Sequence, residues 1–84
     1  MARRRARMRA ATGEHTVQQW LEKIELHAGC CFYCGEQKPL TVDHDVPITR
    51  GGSNDITNIL PACLSCNSKK GVRTAREYLA LRAA

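Results

Sequence analysis

Apolar residues recur at helical spacing in one early stretch of the chain. Val17, Trp20, Leu21 and Ile24 predict a helix over Thr16–His27, with Gly29 placed to end it. Cys30 to Gly35 (CCFYCG) reads as a tight turn. Leu40-Thr-Val-Asp-His44 reads as a short strand, and Pro47 then interrupts pairing because it has no N–H to give. Arg50-Gly-Gly-Ser-Asn54 is a loop by composition. Ile56 to Leu60 leads into a second short strand, which Pro61 is expected to end. Cys63-Leu-Ser-Cys66 repeats the first turn's cysteine spacing. A helix is expected to start near it, to carry Asn67, Lys69 and Lys70, and to close at Gly71. Thr74-Ala-Arg-Glu77 has the spacing of a capping box, which predicts a last helix to about Arg82 with Tyr78, Leu79 and Leu81 as its apolar contacts. The pattern is that of one small α+β domain over 12–84. It follows a tail, 1–11, that has no apolar periodicity and is expected to be disordered until it meets a partner.

Length changes the picture. The chain has 84 residues and only 5% aromatics, so its core is thin. Below roughly 70–80 residues a hydrophobic core supplies about 3–5 kcal/mol, and small folds are commonly stapled. Five cysteines are the candidates. Nothing at the N-terminus reads as a signal peptide, and no apolar run approaches the ~18 residues of a membrane span, so the expectation is a cytoplasmic protein with no membrane partner. In a reducing compartment paired cysteines point to a metal before a disulfide. Cys31, Cys34, Cys63 and Cys66 form two C-x-x-C pairs with 28 residues between them. Zinc takes four such thiolates at tetrahedral corners, and a closed shell of four is structural. Cys30 would make a C-x-x-x-C with Cys34, so Cys31 is preferred as the ligand and Cys30 is left as a packed free thiol.

Charge is unevenly placed. The net charge is +5, and Arg3, Arg4, Arg5, Arg7 and Arg9 account for all of it. The remainder is balanced, with acidic residues early and Lys69, Lys70, Arg73, Arg76 and Arg82 late. A basic tail and a basic C-terminal segment suit a polyanion; a solubilising tail and solvated charges are the plain alternative. Arg50, Lys69, Lys70 and Arg73 are the candidate phosphate contacts, and Gly51 and Gly52 would let backbone approach a duplex closely.

Between the cysteine pairs stand Asp43-His44, Pro47, Gly51-Gly52 and Asn58, with Asn67 beyond the second pair. Histidine is the natural base near neutral pH, and hard divalent ions prefer oxygens such as those of Asp and Asn. A base beside such an ion suits hydrolysis of a phosphodiester. Adjacent strand residues point to opposite faces, so Asp43 can hold an ion while His44 meets a water.

The runs D-H-x-x-P-x-x-x-G-G and N-I-L-P-A-C-x-x-C-N-x-x-K-G resemble the HNH endonuclease family in its zinc-bound, Asn-ended variant, from about Cys31 to Gly71. His44 and Asn58 stand fourteen positions apart, and Asn58 and Asn67 nine. The resemblance implies a ββα-metal, treble-clef-like core stapled by a structural zinc on the four paired cysteines, with flanking helices. It implies His44 as general base, Asn58 as a brace that helps orient it, and Asp43 and Asn67 on one catalytic Mg²⁺ or Mn²⁺. It implies cleavage of DNA by a bacterial or phage-encoded enzyme. A larger protein partner could supply specificity, and oligomeric state stays open. Two other readings remain: a non-catalytic treble-clef module that binds nucleic acid, and an adaptor whose Arg tail docks an acidic partner. Asp45 is expected to be solvated, and His15 and His27 to lie on a helix surface.

Overall fold

The computed structural model describes residues 12–84; the expected disorder of 1–11 lies outside them. In chain order the elements are helix α1 (Val17–Leu26), strand β1 (Leu40–His44), strand β2 (Ile59–Cys63), helix α2 (Leu64–Lys70) and helix α3 (Ala75–Ala83). Short 3₁₀ turns at Ile48–Arg50 and Ile56–Asn58 punctuate the connection between the strands. The architecture is small α+β, a two-stranded antiparallel sheet with α2 following directly from β2.

Helix α1 begins where a capping box allows it. The Thr16 hydroxyl accepts from the Gln19 N–H, and the Gln19 side chain accepts in return from the Thr16 N–H. None of its residues is fully buried; Trp20 and Ile24 are half-buried, while Val17 and Leu21 face solvent. Helix α3 carries the capping box read from its sequence, between Thr74 and Glu77. Its apolar contacts are fewer than expected. Ala75 and Tyr78 are buried, but Leu79 and Leu81 are exposed, because only one narrow face of this helix meets the core.

The strands pair from Leu40 opposite Cys63 to His44 opposite Ile59. Pro61 does not end β2 but sits inside it, opposite Val42. A sheet of two strands is all edge, and an edge tolerates a residue without an N–H. The Pro61 carbonyl is still used, accepting from Phe32 N–H at 2.8 Å, which docks the first cysteine turn on β2. The core lies around these turns: Cys31, Tyr33, Ala62, Cys63, Cys66, Ala75 and Tyr78 are buried together. The Tyr33 and Tyr78 rings meet edge to face with centroids 5.1 Å apart.

Two glycine-loop contacts hold the connection between the strands. Gly52 is buried, and a Cβ there would lie 1.7 Å from the Val46 carbonyl oxygen, so this position takes glycine for packing within the chain. Close approach to a duplex is thus not what Gly52 serves. Arg50 reaches α3, where its guanidinium donates to both carboxylate oxygens of Glu77 at 2.5 and 3.5 Å.

Glu77 therefore both caps α3 and anchors the loop. The bond from Arg50 and the Thr74 backbone N–H hold its carboxyl at about 2, below the ordinary 4.5. A depressed folded-state value contributes stability that is present above about 4.5 and lost as pH falls towards 2. Thermal melts of wild type and Glu77→Gln, whose amide keeps the cap, should differ near neutral pH and converge as pH falls through that window. The pair is exposed, so added salt should narrow the gap.

Candidate metal centre and active site

Two sites form on this frame. The first is the cysteine cluster. In the first turn the Gly35 N–H donates to the Cys31 carbonyl at 2.9 Å, and the Tyr33 N–H points at Cys31 Sγ at 3.4 Å. The second pair spans the β2–α2 junction, with Cys63 ending the strand and Cys66 in the first turn of the helix. The sulfurs of Cys31, Cys34, Cys63 and Cys66 all lie within 4.8 Å of one another, and those of Cys34 and Cys63 are 3.9 Å apart.

A tetrahedron with sulfurs at about 2.3 Å from its centre has edges of about 3.8 Å, so the donor set fits zinc. Cys30 lies outside the cluster, its thiol directed to the Ala28 carbonyl. Burial pushes the Cys66 thiol up to about 12, helped by the neighbouring sulfurs. Burial also opposes ionisation of Cys31, yet backbone N–H groups of Cys34, Cys63 and Tyr33 bring it down to about 6. Arg82 adds a cation 3.6 Å from Cys66 Sγ.

The second site is a cleft of about 180 Å³ beside β1, lined by Asp43, His44, Pro47, Asn67, Lys70 and Gly71 among others. Asp43 and His44 end β1, and Asn67 reaches the cleft from α2. The Asn67 amide nitrogen donates to Thr41 Oγ1 at 2.8 Å and to the Val42 carbonyl at 3.2 Å. Its carbonyl oxygen is left as the group that can meet a cation. Three residues picked from the sequence thus converge: Asp43, His44 and Asn67.

Asn58 lies apart, as a brace. Its Oδ1 accepts from the Val46 N–H at 2.9 Å, and its Nδ2 donates to the carbonyls of Val46 (3.0 Å) and Ser53 (2.7 Å). It touches the loop and not the His44 ring. The ring's partner is Asn54, whose Oδ1 is 2.9 Å from His44 Nε2.

Several side chains sit elsewhere than their sequence context suggests. Lys70 is only 1% exposed. Its ammonium is 3.1 Å from Asp43 Oδ1 and donates to the His44 carbonyl at 2.7 Å, so it is no surface contact for phosphate. The other Asp43 oxygen accepts from the Tyr33 hydroxyl, whose ionisation is pushed up by burial and then by this carboxylate. Arg50 is paired with Glu77. Lys69 and Arg73 are exposed, the latter with one N–H 3.4 Å from each of the Lys69 and Lys70 carbonyls. Asp45 is half-buried and bonds the Ala75 N–H at the start of α3, where a negative charge is favourable. His15 precedes α1 and holds the Asn54 carbonyl, whereas His27 caps α1 at its end.

Tyr33, Asn54 and Lys70 hold the site in ways that sequence reasoning misses. Tyr33 has one legible signal, an aromatic inside a cysteine turn. Nothing local marks Asn54 or the burial of Lys70.

A strand pair running into a helix, with cysteine turns at its base and Asp43, His44 and Asn67 at one cleft, defines a small cysteine-stapled ββα unit. A model of the family "HNH endonuclease" matches residues 31–73, just over half the chain, and the protein belongs to that family. No curated protein matches the chain.

Stringent chelation of zinc-loaded protein should abolish most of its helical circular dichroism, since structural zinc supplies about 10–16 kcal/mol of apparent binding energy in small domains. Full helicity after metal removal would count against a structural role for the cluster. Lys70→Met leaves Asp43 buried without its cation and should cost about 3–5 kcal/mol in urea unfolding. Adding Asp43→Asn to that variant should recover part of the loss, which a double-mutant cycle would read directly.

Proposed function

We propose that this protein is a metal-dependent endonuclease that hydrolyses phosphodiester bonds of DNA, with His44 as general base. The carrying observation is the meeting of Asp43, His44 and Asn67 at one cleft on a ββα unit of this family. Zinc in the cluster of Cys31, Cys34, Cys63 and Cys66 is a staple in this reading: four thiolates close its shell and leave no position for substrate.

The donor set at the cleft fits a hard divalent ion such as Mg²⁺ or Mn²⁺, because it offers oxygens from Asp43 and Asn67. Each carboxylate oxygen can accept more than one contact, so Asp43 can face a cation while Lys70 and Tyr33 hold it. When bound, such an ion supplies positive charge for the phosphate and the leaving oxygen. His44 takes the proton of the attacking water. Lys70 fixes the main chain at His44 and the carboxylate of Asp43 together, so that the base and the proposed metal ligand keep one geometry. Asn58 acts on the reaction only by bracing the loop that carries Val46 and Ser53. Lys69, exposed near the end of α2, and Arg73, exposed just beyond it, are the candidate phosphate contacts, with the Arg3–Arg9 run as a further cation source.

One observation favours a second reading, a module that binds nucleic acid without cutting it: both Asp43 oxygens already have protein partners. A supercoiled-plasmid assay separates the two. Zinc-loaded wild type should nick or cut in Mg²⁺ or Mn²⁺. His44→Ala should lose about 10²–10⁴-fold of that rate, the usual contribution of a general base. Equal binding of plasmid by both proteins, with no cleavage in either metal, would establish the binding module instead.

A further inference from the structure

The loop that carries Asn54 is fastened by a part of the chain far from it in sequence. The Asn54 N–H donates to the Thr12 carbonyl at 2.7 Å, and the Asn54 carbonyl accepts from His15 Nδ1 at 2.8 Å. A carbonyl only accepts, so His15 carries its proton on Nδ1. One residue on, the Glu14 N–H donates to Asp55 Oδ1 at 3.3 Å. Gly13, with φ +78°, lets the two segments close: a Cβ there would lie 2.1 Å from that same carboxylate oxygen. Residues 12–15 therefore run as a strap across residues 54–55. Asn58 holds the same loop from the other side through the Ser53 carbonyl.

With both its peptide groups pinned, Asn54 has only its side-chain torsions to set. They place Oδ1 at 2.9 Å from His44 Nε2. Among the described residues this is the hydrogen bond made by the His44 ring; Lys70 holds the main-chain carbonyl and Asn58 does not reach the ring. We propose that Asn54 is the positioning residue of the base: it fixes the proton of His44 on Nε2 and leaves the lone pair of Nδ1 to receive the proton of water.

The chemistry of imidazole carries this. A neutral ring has one N–H and one lone pair, and the partner of one nitrogen decides the state of the other. An acceptor at Nε2 selects the Nε2–H tautomer. The reverse arrangement, with the Asn54 amide nitrogen donating to Nε2, would occupy that lone pair and put the proton on Nδ1. The ring would then have no nitrogen to act as a base. The inference rests on His44 as base, but the tautomer itself can be read without any cleavage.

The test uses zinc-loaded full chain and two readouts. Long-range ¹H–¹⁵N correlation spectra of the His44 ring should show the Nε2–H tautomer in wild type. In Asn54→Leu the ring should become a mixture of tautomers, and kcat for plasmid nicking should fall about 10- to 100-fold with KM changed less than about twofold. Asn54→Asp keeps an acceptor in place and should retain the Nε2–H tautomer and most of the rate. An Nδ1–H tautomer in wild type would overturn the proposal, and that measurement needs no variant to fold. So would unchanged tautomer and kcat in Asn54→Leu while His44→Ala is inactive. Wild type that does not cut, or cuts without His44, removes the base reading itself and the positioning role with it.

Discussion

The four-sulfur cluster joins two turns separated by 28 residues, and so ties the two ends of the segment that carries Asp43, His44 and Asn58. Cys31 and Cys34 come from a turn docked on β2 through Phe32 and Pro61; Cys63 and Cys66 come from the hinge between β2 and α2. Bringing these sulfurs together sets the angle at which α2 leaves the sheet. That angle puts Asn67, one residue after Cys66, beside the end of β1. The buried core is largely the cluster and what surrounds it, chiefly Tyr33, Ala62, Ala75 and Tyr78. With so little apolar area to bury, a metal ion held by these four sulfurs would take the part that packing plays in a larger domain.

Outward from the cluster the fold is held by polar contacts more than by apolar ones. Tyr33 links the two regions, with its ring against Tyr78 and its hydroxyl on Asp43. Lys70 joins Asp43 to the backbone of His44, and Asp45 receives the first N–H of α3. Asn58 substitutes its amide for missing backbone partners on Val46 and Ser53. Buried polar groups of this kind are costly when a partner is lost and highly specific when all are paired. No buried side-chain nitrogen or oxygen among the described residues lacks a partner. The residues proposed for chemistry are therefore held by groups that also hold the fold.

Helix caps and cysteine spacings are legible in the sequence because they are local. Thr16, Thr74 and Glu77 act within one turn of chain, and a C-x-x-C pair directs two sulfurs to one side whatever surrounds it. Boundaries of α1 and α2 fall within a residue or two of expectation for the same reason. The positions that depart from expectation share a different cause. Pro61 reads locally as a strand end, because nothing in the sequence tells the sheet's width. Leu79 and Leu81 read as core, because apolar spacing does not tell how broad a face the neighbours cover.

Charged and amide side chains are the hardest to place, since their partners come from distant segments. Lys70 reads as one of several late cations, and burial beside Asp43 separates it from Lys69 and Arg73. Arg50 reads as free until α3 brings Glu77 to it, and Asn54 as a plain loop residue until 12–15 crosses over it. By itself the sequence determined which chemistry was available: four cysteines in two pairs, and an Asp-His pair followed by two asparagines at family spacings. Only the tertiary structure decided which of these groups meet. A residue type and its local spacing set what a side chain can do, but the partner that holds it depends on chain closure over tens of residues.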